Sequence, residues 1–267
     1  MKLIPNFSNK FDLSLVRYWI RKFFAKFGLI IRKEDKNWVY YPFSKTPQGI
    51  YQDLLRKYKI DLVLDIGASS GYWSGSIREN GYKGRIISFE PQNSLYNQLR
   101  SRSQTDSNWE IMNLALGDCD KTSNFYISKY RESSSLSKML KTHSEAFRGS
   151  SMTNKKIQVT VQKLDSLLPK ILQKEAHIFA KVDVQGYEKK VLIGATESLK
   201  KIKMIQLEMS LRKLYDDDVL FHEMYESIND AGFQLIHMSP GFTNEESHEL
   251  LQVDAIFVNK TMLNAKV

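Results

Sequence analysis

Apolar residues along this chain fall into short, largely β-branched runs separated by stretches of helical periodicity. Ile60-Asp61-Leu62-Val63-Leu64 and Arg85-Ile86-Ile87-Ser88-Phe89 read as buried strands, and Tyr72 to Asn80 between them reads as a helix. The same reading predicts further strands at 109–115, 177–184 and 203–208. Helices are predicted at 92–103, 165–172, from Tyr187 onward, and at 219–230. Two alternating segments, 123–128 and 156–162, are expected to pair as a hairpin. The last strands, 233–237 and 252–258, are joined by a loop without a helix, which requires an antiparallel partner at one edge. The order predicts an α/β protein: a Rossmann-like, seven-stranded, mostly parallel sheet with helices on both faces and an antiparallel edge strand.

Ahead of the first strand the pattern changes. Phe11 to Phe27 is amphipathic, with Leu15, Val16, Trp19, Ile20, Phe23, Phe24 and Phe27 on one side and Arg17, Arg21, Lys22 and Lys26 around it. Such a helix packs its apolar stripe on the core, meets a second copy in a homodimer, or lies on an anionic membrane surface. Lys33 to Gln48 reads as a linker or lid whose Trp38, Tyr40, Tyr41 and Phe43 could cover a ligand. The expected organisation is an N-terminal segment, 1–48, and a catalytic domain, 49–260, in which 119–163 is an insertion over the active site.

Charge sharpens that division. Residues 1–60 hold thirteen Lys and Arg against four Asp and Glu, which accounts for the whole formal charge of +9, and the rest balances at 26 against 26. A basic N-terminal segment points to a surface or partner, and a neutral remainder argues against nucleic acid lying across the catalytic part. Cys119 is the only cysteine, so an internal disulfide and a cysteine metal cluster are excluded. No apolar run is long enough to span a bilayer, and Met1 to Lys10 lacks an apolar signal core. The expected location is the cytoplasm, with peripheral contact at the inner face of the membrane through residues 11–27.

The chemistry starts at Asp65-Ile66-Gly67-Ala68-Ser69-Ser70-Gly71, directly after the first strand. Strand, glycine turn and helix together bring backbone close to a bound cofactor. The second strand ends on Glu90, about twenty residues downstream, where a carboxylate meets ribose hydroxyls. Glu90 can also cap the next helix, with Pro91 at its first position.

Four segments then line up with one family. D-I-G-A-S-S-G at 65–71, S-F-E-P at 88–91, A-L-G-D at 115–118 and K-V-D-V-Q-G-Y-E-K-K-V-L-I-G at 181–194 together resemble the FkbM family of S-adenosylmethionine-dependent methyltransferases. The serine run at 133–137 and V-x-x-L-D-S-L-L at 161–168 are also similar. The chain departs from the family pattern at Gln185, where Glu is usual, and near Ser69, where Asn is. The resemblance implies the class I methyltransferase fold and S-adenosylmethionine as cofactor. It would be bound by Asp65, Gly67, Ala68, Gly71, Glu90, Ala115, Leu116 and Asp183. It also implies an O-methyltransferase acting on a hydroxyl of a sugar, a glycan or lipid-linked glycan, or a natural product. The competing reading is a non-catalytic scaffold that keeps the fold.

An alcohol acceptor must lose its proton, which needs a base or a metal ion. Asp183 and Glu208 end neighbouring parallel strands, whose ends open into one crevice. One is the expected base, or the pair holds a divalent cation, although no metal is predicted. His237, at a later strand end, is a third candidate. The absence of an N/D-P-P-Y/F motif makes amino methylation of nucleic-acid bases an unexpected activity. The insertion 129–154, with Arg131, Lys138 and the serine run, is expected to cover a small-molecule or glycolipid acceptor, or else to be a solvated loop.

Overall fold

The computed structural model describes residues 29–34, 37–42, 46–147 and 149–263. The chain divides into two units, Met1–Asp53 and Leu54–Val267. In the first, strands β1 (Leu29–Glu34) and β2 (Asn37–Pro42) pair antiparallel, with Leu29 opposite Pro42. The expected linker therefore contains a strand, since N-W-V-Y-Y-P supplies the aromatic and β-branched residues that favour one. The helix expected at 11–27, with its membrane or second-copy contact, lies outside the described residues, as do the side chains of the supposed lid.

Helix α1 (Pro47–Lys57) follows, started by proline at its first position, with the Thr46 hydroxyl accepting from the Gly49 N–H at 3.1 Å. The second unit then alternates strand and helix. In order come β3 (Leu62–Ile66), α2 (Tyr72–Glu79), β4 (Arg85–Phe89), α3 (Asn93–Ser103) and β5 (Trp109–Met112). A side arm is made of β6 (Ala115–Leu116), β7 (Lys121–Ser128), α4 (Lys141–Ala146) and β8 (Met152–Gln162). The main alternation resumes with α5 (Leu164–Ile171), β9 (Ile178–Val182), α6 (Glu188–Ile193), α7 (Thr196–Leu199) and β10 (Ile202–Ser210). Helix α8 (Phe221–Asp230), β11 (Phe233–Pro240), β12 (Gln252–Asn259) and α9 (Lys260–Leu263) complete the chain.

The seven-stranded sheet has the order β11-β12-β10-β9-β3-β4-β5. Strands β5, β4, β3, β9 and β10 are mutually parallel, whereas β12 runs antiparallel to both β10 and β11. The reversed strand thus sits one place in from the edge, and the edge strand β11 pairs antiparallel with it. Strands β3 and β9 are buried at every position, as strands covered on both faces are. Leu164, Leu167, Leu168 and Ile171 give α5 the apolar face that covers them.

One expected strand is divided. Residues 109–112 belong to the large sheet, but 115–116 pair with β8 in a separate three-stranded sheet of order β6-β8-β7. The break falls at Asn113, whose side-chain amide donates to the Glu90 carbonyl at 2.9 Å. The alternating segments 123–128 and 156–162 pair as expected, and Phe125 is the inward residue.

The sheet sets the site through register. Ile66 pairs with Phe89 on one side and with Val182 on the other, and Val182 pairs with Leu207. Three strand ends, of β3, β4 and β9, therefore open at one level, while β10 runs on to Ser210, so that Glu208 lies within that strand and not at its end as expected. Gly67, the first residue past β3, lies so near β9 that a Cβ there would be 1.9 Å from the Asp183 carbonyl oxygen, and its φ is +83°. Gly67→Ala is accordingly expected to cost about 2–4 kcal/mol. Thermal unfolding checks this, and an unchanged Tm would contradict the close approach.

Candidate functional site

The turn after β3 is built from left-handed residues. Gly67, Ser69 and Gly71 have φ of 83°, 51° and 76°. The N–H groups of Gly67 and Ala68 both donate to the Phe89 carbonyl, at 3.1 and 3.0 Å, which ties the turn to the end of β4. Ser69 is then held with its N–H donating to Glu90 Oε2 at 2.9 Å, and the Gln92 N–H donates to Glu90 Oε1 at 2.7 Å. Glu90 is only 4% exposed. Burial pushes its carboxyl up to about 7, against the two N–H donors, which act to lower it.

Glu90 lines a pocket with about 530 Å³ of empty space, open solvent included. Its floor is the 66–69 turn, its apolar wall Ala115, Leu116, Phe125 and Leu95, and its far end Asp183, Val184 and Gln185. Arg131, Glu132, Ser134 and Leu136 form a roof. The buried Ser69 Oγ and Gln92 Oε1, on pocket-lining residues, have no hydrogen-bond partner. Buried polar atoms without partners are rare, and on a pocket wall a bound ligand or water would satisfy them. An apolar slot, a carboxylate with spare lone pairs and two unpaired polar atoms fit a nucleoside.

The serine run is part of this architecture and not a solvated loop. Ser133, Ser134, Ser135 and Ser137 are buried. The Ser135 hydroxyl lies 2.7 Å from the Gln185 carbonyl and 3.1 Å from that of Val184, and its oxygen accepts from the Ser137 N–H at 3.0 Å.

Beyond the pocket lies a polar layer at the ends of β9 and β10. Lys181 is buried, with its ammonium 2.9 Å from Asp183 Oδ2 and 5.7 Å from the centre of the Trp73 ring. Burial works against that ammonium, but Asp183 and Asp65 outweigh it and hold it charged. Burial likewise works to raise Asp183, and Lys181 with two hydrogen bonds overcomes it and holds the carboxyl below its ordinary value. Glu208 goes the other way. Burial, reinforced by Asp183, Glu188 and Asp254, pushes it well above the carboxylate range. Glu188, which accepts from the Val184 N–H at 2.9 Å, is pushed up to about 8 by burial and by Asp218.

Of the residues singled out from sequence, Gly67, Glu90, Ala115, Leu116 and Asp183 line the pocket. Asp65, Ala68 and Gly71 do not. Asp65 is fully buried inside β3, where Oδ2 accepts from the Ser74 hydroxyl at 2.6 Å, and Gly71 faces Leu99 of α3. Glu208 is off the pocket wall but joined to Asp183 through Gln185, whose Nε2 donates to both at 2.9 and 2.8 Å. A cation bridging the pair would have to displace that amide. His237 is not brought to the site: β11 lies three strands from β9, which is about 14 Å. Among the described residues no three His, Cys, Asp or Glu converge to hold a metal ion. No described helix is long and apolar enough to cross a membrane.

Sequence reasoning missed Gln92, Phe125, Lys181 and Tyr215. The alternation of β7 marks Phe125 as inward. Nothing local marks Tyr215, which reaches the site from a loop with its hydroxyl 2.9 Å from Gln185 Oε1 and 3.2 Å from the Ser133 carbonyl.

Residues 65–235 match the family described as Methyltransferase FkbM domain. No curated protein matches the chain. Solved structures do. Magnesium protoporphyrin IX methyltransferase from Synechocystis is 8% identical, with 96% of this chain and 86% of that one covered and a TM-score of 0.45. The Methanococcus jannaschii fibrillarin, a pre-rRNA processing protein, is 14% identical over 87% and 83%, with a TM-score of 0.46. Aeropyrum pernix fibrillarin, solved with S-adenosyl-L-methionine, is 11% identical over 86% and 83%, with a TM-score of 0.43. At these values the likenesses carry no information on the acceptor.

The buried acids make stability depend on pH. Glu188 and Glu208 keep protons in the folded chain that the unfolded chain has released, so stability falls as pH rises from the ordinary carboxylate range to about 8. Glu188→Gln keeps an acceptor for the Val184 N–H and removes the charge. It is expected to raise Tm at pH 8 more than at pH 5. An equal effect at both pH values would contradict the burial argument.

Proposed function

Because the chain belongs to the FkbM methyltransferase family, whose match spans more than half of it, we propose that it is an S-adenosylmethionine-dependent O-methyltransferase. The acceptor is a hydroxyl of a sugar or lipid-linked glycan. Bound S-adenosylmethionine supplies an electrophilic methyl group on a sulfonium centre. Glu90, with each carboxylate oxygen already accepting one N–H, has lone pairs left for the ribose hydroxyls. Ala115, Leu116, Leu95 and Phe125 offer the flat apolar slot an adenine needs, and Gln92 Oε1 and Ser69 Oγ are polar atoms awaiting partners.

One observation carries the catalytic part. Asp183 lines the pocket with its side chain 29% exposed, and Lys181 holds it ionised. As the acceptor hydroxyl is methylated, Asp183 would take its proton and pass it on to water. The chain's main contribution is orientation, because displacement at a methyl carbon requires nucleophile and leaving group in line. Arg131 and Ser134 on the roof give cationic and hydroxyl partners suited to a polyhydroxylated acceptor. The basic excess of residues 1–60 suits an acceptor held at the cytoplasmic face of an anionic membrane.

Three outcomes test this reading. Asp183→Asn is expected to lower kcat by roughly 10²–10⁴ while the cofactor Kd changes little; unaltered turnover would reject Asp183 as the base. Cofactor affinity should weaken as pH falls below about 7, where free Glu90 takes up a proton and ceases to be a carboxylate acceptor. Glu90→Gln should abolish that dependence, and a pH-dependence that persists in it would reject the ribose role. With methyl-labelled S-adenosylmethionine, label should enter a lipid-linked glycan fraction; label in RNA alone would overturn the acceptor class.

A further inference from the structure

Gln185 joins more of the site than any other side chain on this crevice. Its backbone is left-handed, with φ of 60°, and Gly186 after it has φ of 84°. A Cβ on Gly186 would lie 2.4 Å from Tyr215 Cβ, so the loop is pressed against that ring. The side-chain nitrogen lies 2.8 Å from Asp183 Oδ1 and 2.9 Å from Glu208 Oε2, and the side-chain oxygen takes the Tyr215 hydroxyl at 2.9 Å. Both amide hydrogens and the amide oxygen are therefore engaged. The orientation of the amide follows from its neighbours, since the ionised Asp183 can only accept and Tyr215 can donate.

Two carboxyl groups held this close cannot both be charged unless something positive lies between them. The usual solutions are a divalent cation or a shared proton. Here a neutral amide occupies the position between them and donates to each. Glu208 does not line the pocket, and its Oε2 also accepts from Gln252 Nε2 at 3.0 Å. Asp183 is turned toward the pocket.

We propose that Gln185 is a positioning residue that stands in for a bridging cation: its amide clamps Asp183 to Glu208 and aims Asp183 into the pocket, so that methyl transfer runs without a divalent ion at this pair. This rests on the reading of Asp183 as the base. The charge balance agrees. Burial and the neighbouring Asp183, Glu188 and Asp254 push Glu208 toward its neutral form, while Lys181 favours the charged form of Asp183.

The test is Gln185→Glu, assayed with and without Mn²⁺. In EDTA the wild type should keep full turnover, and Mn²⁺ should alter neither its Tm nor its kcat. In EDTA the variant, with three carboxyls in place of two and an amide, should lose at least about tenfold in kcat, with the cofactor Kd within about threefold of wild type. Calorimetric titration of the variant with Mn²⁺ should show one site that the wild type lacks, and should restore its Tm. Wild-type activity that is lost in EDTA and regained with Mn²⁺ would overturn the proposal, as would a variant as active as wild type in EDTA. If Gln185→Glu does not fold, the double variant Gln185→Glu/Glu208→Gln moves the amide to the other partner. It should fold and turn over, and failure to do so would also overturn the proposal. The Mn²⁺ titration reads binding alone, so it separates this idea from the assignment of Asp183: a new site in the variant with full activity in Asp183→Asn would leave the clamp standing and remove the base.

Discussion

The Asp183 carbonyl oxygen lies where a side chain on Gly67 would have to be. That exclusion fixes the geometry of everything around it. It follows from the parallel pairing of β3 with β9, which brings Ile66 and Val182 level and leaves the two loops that follow in direct contact. One loop carries the turn that reaches Glu90 through the Ser69 N–H, and the other carries Asp183 and Gln185. A cofactor cradle and a candidate base thus come together because two strands end at the same height. Neither loop could retreat without losing the ladder, which pairs Leu62 through Ile66 with β9.

A second constraint is charge. The crevice holds Asp65, Asp183, Glu188, Glu208 and Asp254 around one buried cation, Lys181. Burial opposes that many carboxylates, so they diverge: Asp183 is held below its ordinary value beside Lys181, while Glu188 and Glu208 are pushed up. Such divergence between neighbouring acids is typical of working sites.

Much of this was legible in the sequence, for identifiable reasons. Strands buried on both faces write continuous apolar runs, so β3, β4 and β9 stood out, and with them Gly67, Glu90 and Asp183 at their ends. The glycine turn and the 181–194 segment were readable because local spacing carries them. The break at Asn113 was not, because the chain leaves one sheet for another where that side chain donates to the Glu90 and Pro91 carbonyls. The contact of Asp65 with Ser74 was not legible either, because the acid after an apolar run looks the same whatever lies beneath it. His237 followed from strand-end position alone, and the sheet order sets it three strands away. Tyr215 and Lys181 act through contacts that no local pattern announces.

The central claim is that the pocket between Glu90 and Asp183 is built for one cofactor. Equilibrium dialysis of the wild-type chain against S-adenosylmethionine tests it most directly. The account predicts saturation at one equivalent per chain, with competition by S-adenosylhomocysteine at the same site. No retention of the cofactor at millimolar concentration would contradict it.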